Sequence, residues 1–117
     1  MDLLSGTNTG NLFVSSTQQQ QRLEYIASNT LKSGIDSYQK KDYKSAAQAF
    51  RGAVSLAPGS SFTKDASKYL AMSELKLGHV DKAIEAYERS IELNPDSDEP
   101  HVDLAKLYFT QEKYKEA

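Results

Sequence analysis

The segment that decides the architecture is Ala66–Pro95, ASKYLAMSELKLGHVDKAIEAYERSIELNP. Its first half carries Ala66, Tyr69, Leu70, Met72, Ser73 and Leu77 at three- and four-residue steps, which is one face of an α-helix. Gly78 follows, where a helix end favours a residue with positive φ. Val80, Ala83, Ile84, Tyr87, Ile91 and Leu93 then repeat the same spacing, and Asn94-Pro95 stops it. Two amphipathic helices joined by a two-residue break read as a helical hairpin.

The same grammar extends in both directions. Upstream, Tyr43, Ala46, Ala47, Phe50, Ala53, Val54 and Leu56 form a helix stopped by Pro58-Gly59. Before it, Leu23, Ile26, Ala27, Thr30, Leu31, Gly34, Ile35 and Tyr38 predict a long first helix over about 18–40, with Thr17 as its N-cap. Downstream, Asp96 and Asp98 precede a fifth helix with Pro100 in its first turn and an apolar face of Val102, Leu104, Ala105, Leu107 and Tyr108. A turn at Glu112-Lys113 and a sixth helix starting at Tyr114 are expected next. No segment alternates with period two for long enough to be a strand, so the expected class is all-α.

Residues 1–17, MDLLSGTNTGNLFVSST, are dominated by Ser, Thr, Asn and Gly and are expected to be a disordered polar leader. Leu12, Phe13 and Val14 are its one candidate docking knot. The 117 residues suffice for one domain, with 38% hydrophobic and 26% charged residues. Fourteen Lys+Arg against sixteen Asp+Glu give a net charge of −2, which supplies no basic field for nucleic acid or anionic lipid. Without cysteine there is no disulfide framework, thiolate nucleophile or Cys-based zinc site. The apolar runs are too short to span a bilayer and no secretory signal pattern opens the chain, so a cytoplasmic setting is expected.

The two hairpins are also copies of one another. At an offset of 37 residues, Gly34 falls on Ala71, Tyr43 on Val80, Ala46 on Ala83, Phe50 on Tyr87, Ala53 on Ser90 and Pro58 on Pro95. At an offset of 34, Leu70 falls on Leu104, Ala71 on Ala105, Val80 on Tyr114 and Ala83 on Ala117. Small residues recur where helix backbones approach, large ones where a side chain fills the gap between hairpins.

This pattern resembles the tetratricopeptide repeat, a helix–turn–helix unit of 34 residues. The resemblance rests on the small residues Gly34, Ala71 and Ala105 in the first helices and on Ala46, Ala83 and Ala117 in the second. Phe50 and Tyr87, Ala53 and Ser90, and the closing Pro58 and Pro95 complete it. It covers about residues 27–117: repeat one about 27–60, repeat two about 64–97 and a partial repeat three over 98–117, as in the N-terminal part of a longer array. The chain departs from the family at its Trp-like position, held by Thr30, Ser67 and His101, and in three extra residues near Gly59 to Phe62.

The resemblance implies a right-handed superhelical stack whose first helices line a concave, peptide-binding groove. Carried over residue by residue, the lining is Leu31, Ile35 and Tyr38 from repeat one and Lys68, Met72, Leu75 and Lys76 from repeat two, with Asp65 beside them. Repeat three contributes Val102, Lys106 and Phe109, with Glu99 nearby. Such a lining suits an apolar peptide or helix with an acidic end. Its apolar members serve equally well as packing inside the chain or against a second copy, for instance through the open C-terminal end or by taking a neighbour's leader. The chaperone-tail clamp of the family needs Lys, Asn and Arg where this chain has Leu31, Ile35, Tyr69, Glu99 and Asp103, so that ligand is excluded.

Catalysis finds no support. His79 falls in an inter-helix turn and His101 at a helix start, and neither has a nucleophile or base at motif spacing. Asp96-x-Asp98 lacks the glycine and distal glutamate of a calcium loop, and the six glycines form no phosphate cradle. A non-enzymatic interaction module with no cofactor or metal, acting as adaptor or scaffold, is the expected function.

Overall fold

The computed structural model describes the backbone of residues 2–116 and the side chains of residues 16–112. Among the described residues the chain is all-α. Five helices follow in order: α1 (Asp2–Gln39), α2 (Tyr43–Leu56), α3 (Ser61–Lys76), α4 (Val80–Leu93) and α5 (Asp98–Glu116).

The helix ends follow from local chemistry. The chain leaves α1 through Lys41, whose φ of 66° reverses the backbone, and Asp42 then caps α2 by accepting the Ser45 N–H at 3.3 Å. Gly78, at φ 82°, performs the corresponding reversal between α3 and α4. After α2, the Ser60 and Thr63 hydroxyls both donate to the Ala57 carbonyl, closing the loop onto the first turn of α3. Of the extra residues near Gly59–Phe62, Gly59 and Ser60 stay in the turn while Ser61 and Phe62 start α3, and Phe62 packs on the first core cluster.

Two expectations at the ends of the periodic body need correction. Helix α1 starts at Asp2, so Thr17 lies inside it and not at its cap; no proline interrupts the segment. The side chains of residues 1–15, Leu12, Phe13 and Val14 among them, lie outside the described residues, as does the role assigned to that leader. At the other end, α5 continues through Glu112 to Glu116, with no turn ahead of Tyr114. The position of Lys41 and Gly78 is held there by Glu112, in a Gln111-Glu112-Lys113 run of good helix formers that has no residue in the left-handed conformation.

Packing proceeds hairpin by hairpin. Helix α1 lies on α2, α2 on α3, α3 on α4 and α4 on α5, while α1 also touches α3. One core cluster joins Leu31, Ala46, Phe50, Ala53, Val54 and Ala66; the next joins Ala71, Ala83, Ala86, Tyr87 and Leu107, and Leu70 packs against both. The repeated small residues of the first two repeats, Gly34, Ala46, Ala71 and Ala83, are all buried, whereas Ala105, expected to match them on α5, is exposed because no further helix among the described residues packs on that end. A Cβ placed on Gly34 would sit 2.6 Å from Phe50 Cε1, so the α1–α2 crossing accepts only hydrogen there. One repeat on, Ala71 and Tyr87 share the second core cluster.

Burial pushes the Tyr87 phenol up to about 12, reinforced by the Asp103 carboxylate and, more weakly, by Tyr38. None of the described helices is long and apolar enough to cross a membrane.

Two measurements test this packing. Gly34→Ala gains about 1 kcal/mol of helix propensity but overpacks a fully buried ring at a cost of about 1–3 kcal/mol. Urea denaturation is expected to show net destabilisation; an increase in stability would mean that Phe50 is free to move aside. For Tyr87, a folded-state pKa above the ordinary 10.0 favours the neutral phenol in the folded chain. Its stabilisation is therefore complete below pH 10 and lost as pH rises towards about 12. In denaturant series across this window, Tyr87→Phe is expected to lose less stability with pH than the unaltered chain.

Candidate interaction surface

The first helices of the hairpins lie side by side, and two contacts establish it. The Tyr38 ring of α1 meets the Tyr69 ring of α3 edge-on at 6.4 Å, and the Lys68 ammonium of α3 donates to the Glu99 carboxylate of α5. Helices α1, α3 and α5 thus share one side of the stack, the side on which the lining residues were expected.

The structure sorts those residues into three groups. Leu31 is core: it is 8% exposed and joins Phe50, Ala53 and Val54, so it is removed from the lining, because a side chain buried between α1 and α2 has no surface to offer. Ile35 and Tyr38 are half-buried against that same cluster, and Leu75 is half-buried against the second. Met72 is half-buried and belongs to neither cluster, while Val102 is 47% and Phe109 64% exposed on α5.

The three lysines also differ. Lys68 is drawn into the pair with Glu99, which consumes part of its charge within the chain. Lys76 stands 6.0 Å over the ring of Tyr43, a cation–π contact worth about 0.5–1 kcal/mol at an exposed site. Lys106 is exposed and makes no ion pair among the described residues.

An aromatic row that periodicity did not single out ties the first hairpin to the second. Phe50 and Tyr69 stack at 5.2 Å, Tyr69 reaches Tyr38, and Tyr38 meets Tyr43 edge-on at 5.2 Å. Burial raises the Tyr38 phenol above its ordinary 10.0, helped by Tyr43 and Tyr69 beside it. These rings lie on α1, α2 and α3, and helical spacing within one segment carries no signal for a contact between segments.

Also unforeseen is the partner of His79. Although it lies in the α3–α4 turn as expected, its Nδ1 is 2.8 Å from Oε2 of Glu74, a residue only 2% exposed. Oε1 of Glu74 accepts from Arg51 of α2 at 3.0 Å. Among the described residues, no group of three or more His, Cys, Asp or Glu could hold a metal ion.

Comparison with known families gives one match: residues 73–112, from the end of α3 through α4 and most of α5, fit the family model described as TPR repeat. No curated protein matches the chain.

The aromatic row yields a test of its own. Tyr69→Ala removes a ring that stacks on Phe50 and touches Tyr38, so a loss of about 2–4 kcal/mol is expected in chemical denaturation. Tyr69→Phe, which keeps the ring, is expected to stay within about 1 kcal/mol of the original. Equal losses from both variants would show that the hydroxyl, not the stacking, matters.

Proposed function

We propose, from the tetratricopeptide repeat that residues 73–112 carry, that this chain is a non-enzymatic interaction module whose α1–α3–α5 face receives a peptide or helix of another protein. Stacked helical repeats generally serve as protein-binding surfaces, because their superhelical stacking creates extended concave faces that need no moving parts.

The observation that carries the proposal is the division of labour along α3 and α5. Met72 and Val102 retain accessible apolar surface on the shared face, although both core clusters are complete without them. Around them, Ile35, Tyr38 and Leu75 supply rigid half-buried walls, and Phe109 extends the apolar surface along α5. Such a lining selects by shape and apolar complementarity, with Lys76 and Lys106 favouring an acidic end on the ligand; Lys68 can join only by giving up Glu99.

A second reading is a scaffold built from copies of this chain. It is supported by Leu23 and Ile26, exposed apolar neighbours one turn apart on α1, with Tyr25 exposed on another face. Here the face of one copy would take the N-terminal segment of a neighbour, and the leader would be an assembly element.

Met72→Glu tests the first reading, since a carboxylate at this half-buried position would be fully buried once a ligand covers the face. Proteins retained by the unaltered chain in a pull-down are expected to be lost by the variant while its circular dichroism is unchanged; the same proteins retained by both would remove the groove. Sedimentation of the chain with residues 1–17 deleted tests the scaffold: loss of oligomers supports it, and an unchanged mass overturns it.

A further inference from the structure

On the far side of the stack from this face, α2 and α4 wall a cavity of about 280 Å³ whose floor is α3. Leu70 and Glu74 form that floor. Each lies two residues from Met72, so helical geometry turns both away from the face on which Met72 sits. The walls carry Arg51 from α2 and Lys82, Glu85 and Arg89 from α4.

The charges in this cavity are not equivalent. Glu74 is 2% exposed and both its oxygens are engaged, one by Arg51 at 3.0 Å and the other by His79 at 2.8 Å. Its carboxylate is therefore spent within the chain, and the contact fixes the Arg51 guanidinium at the cavity wall with most of its donors still open. Lys82 and Arg89 are exposed, two turns apart on the same face of α4, and neither makes an ion pair among the described residues. Glu85 offsets one of them, so three cations face two carboxylates in a chain whose net charge is −2. The local excess is positive where the background is negative.

Size narrows the ligand. A volume of about 280 Å³ falls at the low end of small-molecule sites, enough for one or two side chains but not for a nucleotide-sized cofactor. Guanidinium groups offer paired donors that match a carboxylate, and Leu70 with Ala86 gives the methylene stem of an acidic side chain an apolar bed.

We propose that this cavity is a second interaction site, distinct from the α1–α3–α5 face, that receives an aspartate or glutamate side chain of a protein segment lying across α2 and α4. The ligand carboxylate sits between Arg51 and Arg89, with Lys82 adding attraction from the rim. Because the site is on the opposite side of α3, it can be occupied while the other face holds a partner.

The test is an amide NMR titration of the full chain with hexaglutamate, hexaglutamine and inorganic phosphate. Hexaglutamate is expected to shift the amides of Arg51 and of residues 82–89 saturably, and the others are not. Arg89→Glu is expected to weaken hexaglutamate binding by about tenfold or more, corresponding to loss of a charge-assisted hydrogen bond. Lys82→Gln should weaken it in the same direction, and Lys32→Glu, a charge reversal on the exposed surface of α1 outside the cavity, should change it by less than about twofold.

Equal binding of hexaglutamine would overturn the site as a charge reader, and phosphate binding as tight as the peptide's would replace it with a small-anion site. Shifts confined to Lys76 and Lys106 and their neighbours would place acidic binding on the other face, refuting this proposal while supporting the first one. Circular dichroism of each variant separates lost binding from lost fold, and Lys82→Gln still decides the matter should Arg89→Glu unfold.

Discussion

Phe50 sits with no exposed surface against the bare Cα of Gly34 on one side and the ring of Tyr69 on the other. That single ring sets the spacing of α1 on α2 and carries it on to α3. Because the helices can approach only where a side chain is missing, the depth of the first hairpin is decided by one hydrogen atom at position 34. The second hairpin repeats the device with Tyr87 and Ala71, and Leu107 of α5 closes on the same cluster as the next element in line. Each hairpin is thus incomplete alone, and its apolar surface is buried by its neighbour.

This sequential burial leaves the stack with two solvent-facing sides. Buried small residues, Ala46, Ala53, Ala66, Ala71 and Ala83, occupy the helix–helix contacts beside the buried rings of Phe50 and Tyr87. On the first side half-buried apolar residues such as Ile35, Tyr38, Met72 and Leu75 lie among exposed charged ones, with Val102 and Phe109 exposed on α5. On the second they are mainly charged, organised around a buried carboxylate that could not remain without its two partners. Met72 and the pair Leu70 and Glu74 thus lie on opposite sides of one helix, α3.

The polar groups inside the stack follow the same economy. Ser73 satisfies its hydroxyl on the Tyr69 carbonyl at 2.9 Å, and Ser90 reaches the Lys64 carbonyl at 3.4 Å, each small enough to let a neighbouring helix in. Ser67 alone among the described buried side chains has no hydrogen-bond partner. It stands where the tetratricopeptide pattern places a large aromatic, and the aromatic row of Tyr38, Tyr69 and Phe50 does the joining of hairpins elsewhere.

Helix order, the positions of α2, α3 and α4, the reversal at Gly78, and the small-residue contacts of the first two repeats were legible in the amino-acid sequence, because each depends on neighbours within a few residues or on a pattern that recurs. Which apolar residues become core and which remain on the surface was not. Ala105, expected to be the matching contact on α5, is exposed instead. Ile35 and Met72 are equivalent at the offset of 37 residues, yet Ile35 packs against the first core cluster and Met72 joins neither cluster. The uninterrupted course of α5 past Glu112, the pairing of Lys68 with Glu99 and the enclosure of Glu74 by Arg51 and His79 likewise belong to the tertiary structure. Local spacing specifies the direction in which a side chain leaves its own helix. Only the assembled stack determines what it meets there, since those partners lie on other helices and their distances are set by packing.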